Sequence, residues 1–224
     1  MKPTMRIGAS SYVGDYVMPK ALVDWEKMNP EIELKIDVSD SERVFTGVIE
    51  GTLEAGAIGA ALEDERIQTE EFVHNADELI LIAPASHPFA NKNEVTVHEL
   101  KGQRFIVREP GSATRMWYRE RLAVEDLTLD DMDIVCEVNS HQAAISAVEA
   151  GAGISFVLRG AARDALDTGR VKEVRVKELS PLMGSLYLVH LDRRLLSDQG
   201  KQVLGFLEDE KAKLTAFGKN RSSS

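Results

Sequence analysis

The 224-residue chain lacks several features, and each shortage closes off a class of function. It has a single cysteine, Cys136, which excludes an internal disulfide and fits a reducing compartment. No apolar run approaches the roughly 20 residues that a membrane-spanning helix needs. Basic residues are in the minority: 27 Lys and Arg stand against 37 Asp and Glu, a formal net charge of −10. DNA binding relies on Lys and Arg neutralising phosphates, so this surface is expected to repel a phosphate backbone. There is no Gly-x-Ser-x-Gly elbow, phosphate loop or dinucleotide fingerprint. His74, His87, His98, His141 and His190 are scattered without metal-site spacing. No catalytic set, metal or cofactor is therefore expected. Met1-Lys2-Pro3-Thr4 enters a strand-like segment at once, without a charged, apolar, cleavable leader, so the expectation is a cytoplasmic protein.

What is present is a globular composition, 43% apolar, with clear periodicity. Met5 to Ala9 reads as a short buried strand. Val17, Ala21, Leu22, Trp25 and Met28 mark one helix face, with Pro19 early in it and Asn29-Pro30 ending it. Ile32, Leu34, Ile36 and Val38 alternate as a strand. A helix carrying Val44, Phe45, Val48 and Ile49 follows, closed by Gly51. Ala55 to Ala60 reads as a small-residue strand and Asp77 to Pro84 as a central one.

The pattern then repeats. Phe105-Ile106-Val107 is a strand, and a helix with Met116, Trp117 and Leu122 follows. Met132, Ile134, Cys136 and Val138 alternate as a strand, which makes Cys136 a core residue. Ala144, Ile145 and Val148 mark a helix closed by Gly151, and Ile154 to Leu158 is again a strand. Val138 falls opposite Val38 and Gly151 opposite Gly51, so two similar βαβ-type lobes are expected. The strands at 79–84 and 186–190 are the natural crossovers of a hinged α/β protein, and Ser197 is expected to cap a last helix that returns to the first lobe. The expected boundaries are 1–84 with 187–217 for lobe I, 85–186 for lobe II, and 218–224 for a disordered tail.

Each lobe has two strand-to-helix junctions dressed with hydroxyl or amide side chains: Ser10-Ser11, Ser39-Asp40-Ser41, Ser112 with Thr114, and Asn139-Ser140. Such junctions lie at the carboxyl ends of strands, where α/β proteins bind ligands, and a helix N-terminus favours anions. Plain N-capping would explain any one of these residues alone. Arg115 suits chelation of a carboxylate or other oxyanion; the competing role is an ion pair with Glu109 or Glu120. His141 follows Ser140 at a helix start, where exposure beside the cap is the simpler expectation. The acidic stretch from Glu125 to Asp133 lacks calcium-loop spacing and reads as a solvated loop.

Arg6-Ile7-Gly8-Ala9-Ser10-Ser11, Glu78-Leu79-Ile80-Leu81-Ile82-Ala83-Pro84, His87-Pro88-Phe89-Ala90 and Arg108-Glu109-Pro110-Gly111-Ser112 occur in this order, followed by Ala147 to Ile154 and Asp192 to Ser197. In that order and spacing the chain resembles the effector-binding domain of LysR-type transcription regulators over about residues 5–214. The resemblance implies a periplasmic-binding-protein type 2-like fold of two Rossmann-like lobes joined by two crossover strands. It also implies a small-molecule effector, expected to be an anion, in the cleft between the lobes. Ser10, Ser11, Ser112 and Ser140 would lie around that cleft, with Thr114 and Arg115 on the same loop. It further implies a homodimer, tetrameric at full length, that uses the helix around Val17–Met28 and the strand Ile32–Val38. DNA would be contacted only through an N-terminal winged helix-turn-helix, which is expected to be missing ahead of Met5. The alternatives are a solute-binding protein of a transporter with the same fold, and an enzyme of this fold, which would need an acid–base pair not found in the sequence.

Overall fold

The structure, a computed structural model, describes residues 2–179 and 181–209. The tail expected at 218–224 lies outside them. The chain forms two compact units, one made of residues up to Ala76 and from Ser185 onward, the other of Asp77–Gly184. The elements are β1 (Thr4–Ser10), α1 (Met18–Met28), β2 (Glu33–Ser39), α2 (Ser41–Ile49), β3 (Ala55–Ile58), β4 (Ile67–Pro84), β5 (Arg104–Arg108), α3 (Ala113–Val124), β6 (Asp133–Val138), α4 (His141–Glu149), β7 (Ser155–Leu158), α5 (Arg159–Asp167), β8 (Val171–Val174) and β9 (Leu182–Leu191). Residues 198–209 are helical. No helix among the described residues is long and apolar enough to cross a membrane.

The internal repeat keeps an offset of 100 residues in most of its elements, α1 and α3 excepted. β1 starts at Thr4 and β5 at Arg104, α2 at Ser41 and α4 at His141, β3 at Ala55 and β7 at Ser155. Gly51 and Gly151 end α2 and α4 with φ of 70° and 81°, a left-handed turn that glycine adopts without steric cost.

In unit 1 the strand order is β2-β1-β3-β9-β4. β1 pairs in parallel with β2 and with β3, and β3 runs antiparallel to β9. Gly8 and Gly56 let α2 lie close on these strands: a Cβ at either would fall within 2.5 Å of Val44 Cγ1. Val44, Val48 and Ile58 are fully buried there. Ahead of α1, Val13–Val17 form a π-turn in which the Met18 N–H reaches back five residues to the Val13 carbonyl. The next residue is Pro19, which has no N–H to give, and the wider turn accommodates it. Trp25 packs edge-on against Phe206 of the last helix, 5.3 Å between centroids. As expected, Ser197 caps that helix, accepting from the Gly200 N–H at 2.9 Å.

In unit 2, β4 carries β7 and β8, both antiparallel, and β5 pairs in parallel with β6. Ile82, Ala144, Val148, Val157 and Val171 form a fully buried core. The indole edge of Trp117 of α3 lies against Gly184, where a Cβ would sit 2.1 Å from the ring, so β9 leaves this unit through a slot that only glycine fits.

Two expectations need correction. β4 begins at Ile67, ten residues before the expected strand start at Asp77. Its first half hides the strand period because Phe72 and Val73 are both buried, His74 and Asn75 both exposed, and Asn75 has φ of 49°. β6 does not alternate cleanly either. A register shift opposite Phe105/Ile106 leaves Ile134 40% exposed and turns Val135, Cys136 and Val138 toward the core. Cys136 is therefore half-buried at the edge of the core. In the connection after β4, His87 Nδ1 accepts the Phe89 N–H at 3.2 Å and caps a short 3-10 turn.

Candidate functional site

The hydroxyl-bearing junctions gather according to strand pairing. In unit 1, Ser10 ends β1 directly beside Ser39, the end of β2. Ser10 and Ser11 are each 7% exposed. Asp40 caps α2 by accepting the Arg43 N–H, and the Ser41 hydroxyl accepts the Gly59 N–H at 3.3 Å. Most of this second junction is thus occupied by local structure.

Unit 2 differs. β5 and β6 are parallel neighbours, with Arg108 opposite Val138, so α3 and α4 start side by side. Four of the expected site residues come together there: Ser112, Thr114, Arg115 and Ser140. Ser140 is a cap, its hydroxyl oxygen accepting the Ala143 N–H at 3.1 Å. Its own O–H is left to donate. Ser112 occupies the same position before α3 but makes no capping bond, and its side chain has no hydrogen-bond partner among the described residues. It is nevertheless buried, at 3% exposure, as is Thr114. The first helical bond of α3 runs from the Met116 N–H to the Ser112 carbonyl, so the N–H groups of Ala113 and Thr114 have no partner within the helix.

His141 is not exposed beside the cap. It is buried in full view of Thr114, whose Oγ1 lies 3.4 Å from its Nε2. Burial, reinforced by the nearby Arg108 charge, holds His141 well below the ordinary imidazole range, so it is neutral at physiological pH. Tyr118 of α3 is buried as well, and burial pushes its hydroxyl up to about 12. The other fully buried histidine, His190, belongs to unit 1 and places Nδ1 2.6 Å from the Leu191 carbonyl.

Both arginines at these junctions are engaged. Arg108 is buried and donates to Glu109 through Nε and Nη2, each at 2.8 Å, while Nη2 also reaches the Asn139 carbonyl at 3.3 Å. Arg115 donates to the Arg108 carbonyl at 2.7 Å and to Glu137 of β6 at 2.6 Å. The expected partners of Arg115, Glu109 and Glu120, are not the ones it uses. Arg108, which opens the Arg108–Ser112 motif, is the one buried charged residue of this cluster that was not expected among the site residues; its place at the end of an apolar strand, just before Glu109, is the signal that could have found it. Among the described residues no group of His, Cys, Asp and Glu could hold a metal ion.

The LysR substrate-binding domain family model matches residues 1–212. The chain belongs to this family. An uncharacterised HTH-type transcriptional regulator of Methanocaldococcus jannaschii is 32% identical over 185 residues, 83% of this chain and 61% of that protein. A phosphonates import ATP-binding protein of Anaeromyxobacter dehalogenans is 33% identical over 79% of this chain, a stretch that makes up 35% of that protein. The LysR domain described here thus spans about three fifths of the first relative and a smaller part of the second. Among solved structures, the regulatory domain of CcmR from Synechocystis PCC6803, in complex with 2-PG, superposes with a TM-score of 0.80 at 20% identity, covering 93% of this chain and 97% of that one. The fold of this LysR domain is accordingly the periplasmic-binding-protein type 2-like fold of LysR effector-binding domains.

Proposed function

We propose that this LysR domain is the effector-sensing part of a transcription regulator, and that it binds a compact anion at the start of α3 and α4. The observation that carries this reading is Ser112, a buried residue at a helix N-terminus whose hydroxyl serves no cap. Thr114 and the first N–H groups of α3 stand beside it, and helix N-termini favour anions through their open donors and partial positive charge. Ser140 adds an O–H from α4, and Arg115 lends charge only if it leaves Glu137. Ser10 and Ser11 hold the matching place after β1 in unit 1 and are the ligand-contacting hydroxyls proposed for that unit. The domain works without catalysis, in the cytoplasm and as a homodimer. With its charge of −10 it leaves DNA to a helix-turn-helix part of the full-length regulator.

Binding would act by favouring one conformation of the regulator, to the extent that affinity differs between conformations. The resemblance to part of a phosphonates import protein adds phosphonates to the ligands worth testing. A transporter solute-binding role is not favoured, because the family model is that of a regulator domain. Calorimetric titration of carboxylates, phosphonates and inorganic oxyanions against wild type and Ser112→Ala tests the site. Loss of affinity by about tenfold for each 1.4 kcal/mol of contact removed is expected. An unchanged affinity in Ser112→Ala and Thr114→Val together would rule the site out.

A further inference from the structure

The junction of α3 and α4 holds two arginines, yet it offers no free positive charge. The Arg108 side chain is only 2% exposed, and the Glu109 carboxylate covers it through two parallel bonds. Arg115 faces Glu137 in the same one-to-one way. His141, buried between the two helix starts, contributes none. What remains positive is the pair of helix N-termini, each equivalent to roughly half an elementary charge. Together they match about one negative charge.

The Arg108–Glu109 pair also has a mechanical place. Arg108 ends β5, reaches the Asn139 carbonyl just ahead of α4, and receives Arg115 of α3 on its own carbonyl. One buried residue therefore joins both junctions. Buried ion pairs seldom stabilise more than apolar packing of the same volume, so stability alone does not account for one here. Glu109 lets the guanidinium make these links without placing its charge in the site.

We infer that Arg108 and Glu109 are a positioning pair that ties the two junctions together while cancelling their formal charge, so that the site selects an oxyanion of one negative charge over an equally compact one of two. This deepens the anion-binding reading and rests on it. A second negative charge would lose its hydration and find no counter-charge, which is costly in a partly desolvated site.

Sulfate and methanesulfonate are the probes: both are tetrahedral sulfur oxyanions, fully ionised at neutral pH, with two charges and one. Titration calorimetry of the wild-type chain should show methanesulfonate binding more tightly. Glu109→Gln keeps the shape and a hydrogen-bonding side chain but uncovers the Arg108 charge. It should move the affinity ratio toward sulfate by about tenfold or more. The double variant Arg108→Gln/Glu109→Gln should return the ratio to the wild-type side, which also guards against misreading a poorly folded single variant. A purely structural role for the pair predicts that both ligands weaken alike, with the ratio fixed; that result, or a wild-type preference for sulfate, overturns the inference. Failure of both probes to bind any form would instead remove the anion site itself, and this inference with it.

Discussion

Thr114 and His141 lie 27 residues apart in sequence and meet inside unit 2, with Thr114 Oγ1 3.4 Å from His141 Nε2. The contact joins the first turn of α3 to that of α4. Because His141 is neutral, one of its ring nitrogens carries a hydrogen and the other accepts. A proton on Nε2 leaves the Thr114 O–H free to donate elsewhere; a bare Nε2 takes that O–H for itself. The tautomer of a residue that need not touch ligand therefore sets what Thr114 offers.

The neutrality of His141 makes stability depend on pH. Its pKa in the folded protein lies below the unfolded value of about 6.5, so between the two the unfolded chain binds more protons. The stabilisation is complete above that value and is lost as pH falls from it toward the folded pKa. His87 is shifted the same way by burial, to a lesser degree. The melting temperature of the wild-type chain should fall as pH is lowered from 7 to about 5, above the usual carboxylate range. The fall should be shallower in His141→Gln. Parallel curves for the two proteins would contradict this.

Ser112 and Ser140 hold equivalent positions but should respond differently to alanine. Ser140→Ala removes a capping bond and should cost about 1 kcal/mol. Ser112→Ala removes no hydrogen bond and should cost less than about 0.5 kcal/mol without ligand. Urea unfolding of both variants gives the comparison, and an equal loss would mean that Ser112 caps α3 in solution.

Gly184→Ala tests the slot beside Trp117. The added methyl group would overlap the indole, so the ring must move or the strand must shift, at a cost of roughly 1–3 kcal/mol. Denaturation midpoints measure the cost, and a red shift of tryptophan emission should accompany it. A variant as stable as wild type with unchanged emission would show that the slot is wider in solution.

Arg115 and Glu137 should be coupled, though weakly. The Glu137 side chain is 49% exposed, and solvent screens such a pair. A double-mutant cycle with Arg115→Ala and Glu137→Ala should return about 0.5–1 kcal/mol, declining as salt is added. A coupling near zero would return Arg115 to the pool of free cations.

Element type was legible wherever burial on one face imposed a period: α2 and α4, closed by Gly51 and Gly151, and the strands β1 and β2. It was not legible where local geometry broke the period. β4 conceals its first half behind Asn75, β6 slips at Val135, and α5 and β8 carried no pattern strong enough to identify them. The site divided in the same manner. Ser112, Thr114 and Ser140 could be named because hydroxyl residues before helices are a local signal. Which of them caps, where Arg115 points and how deeply His141 lies are set by the parallel pairing of β5 with β6, a relation between residues some thirty apart that no local window contains.

The slot at Gly184 has a spectroscopic consequence. The chain has two tryptophans, and the fold assigns one to each unit: Trp25 is sealed against Phe206 in the first, and Trp117 lies against Gly184 in the second. Trp25→Phe leaves emission from the second unit alone, and Trp117→Phe leaves the first. A denaturation series on the pair would reveal whether the two units melt as one cooperative body or in sequence, without any attached label.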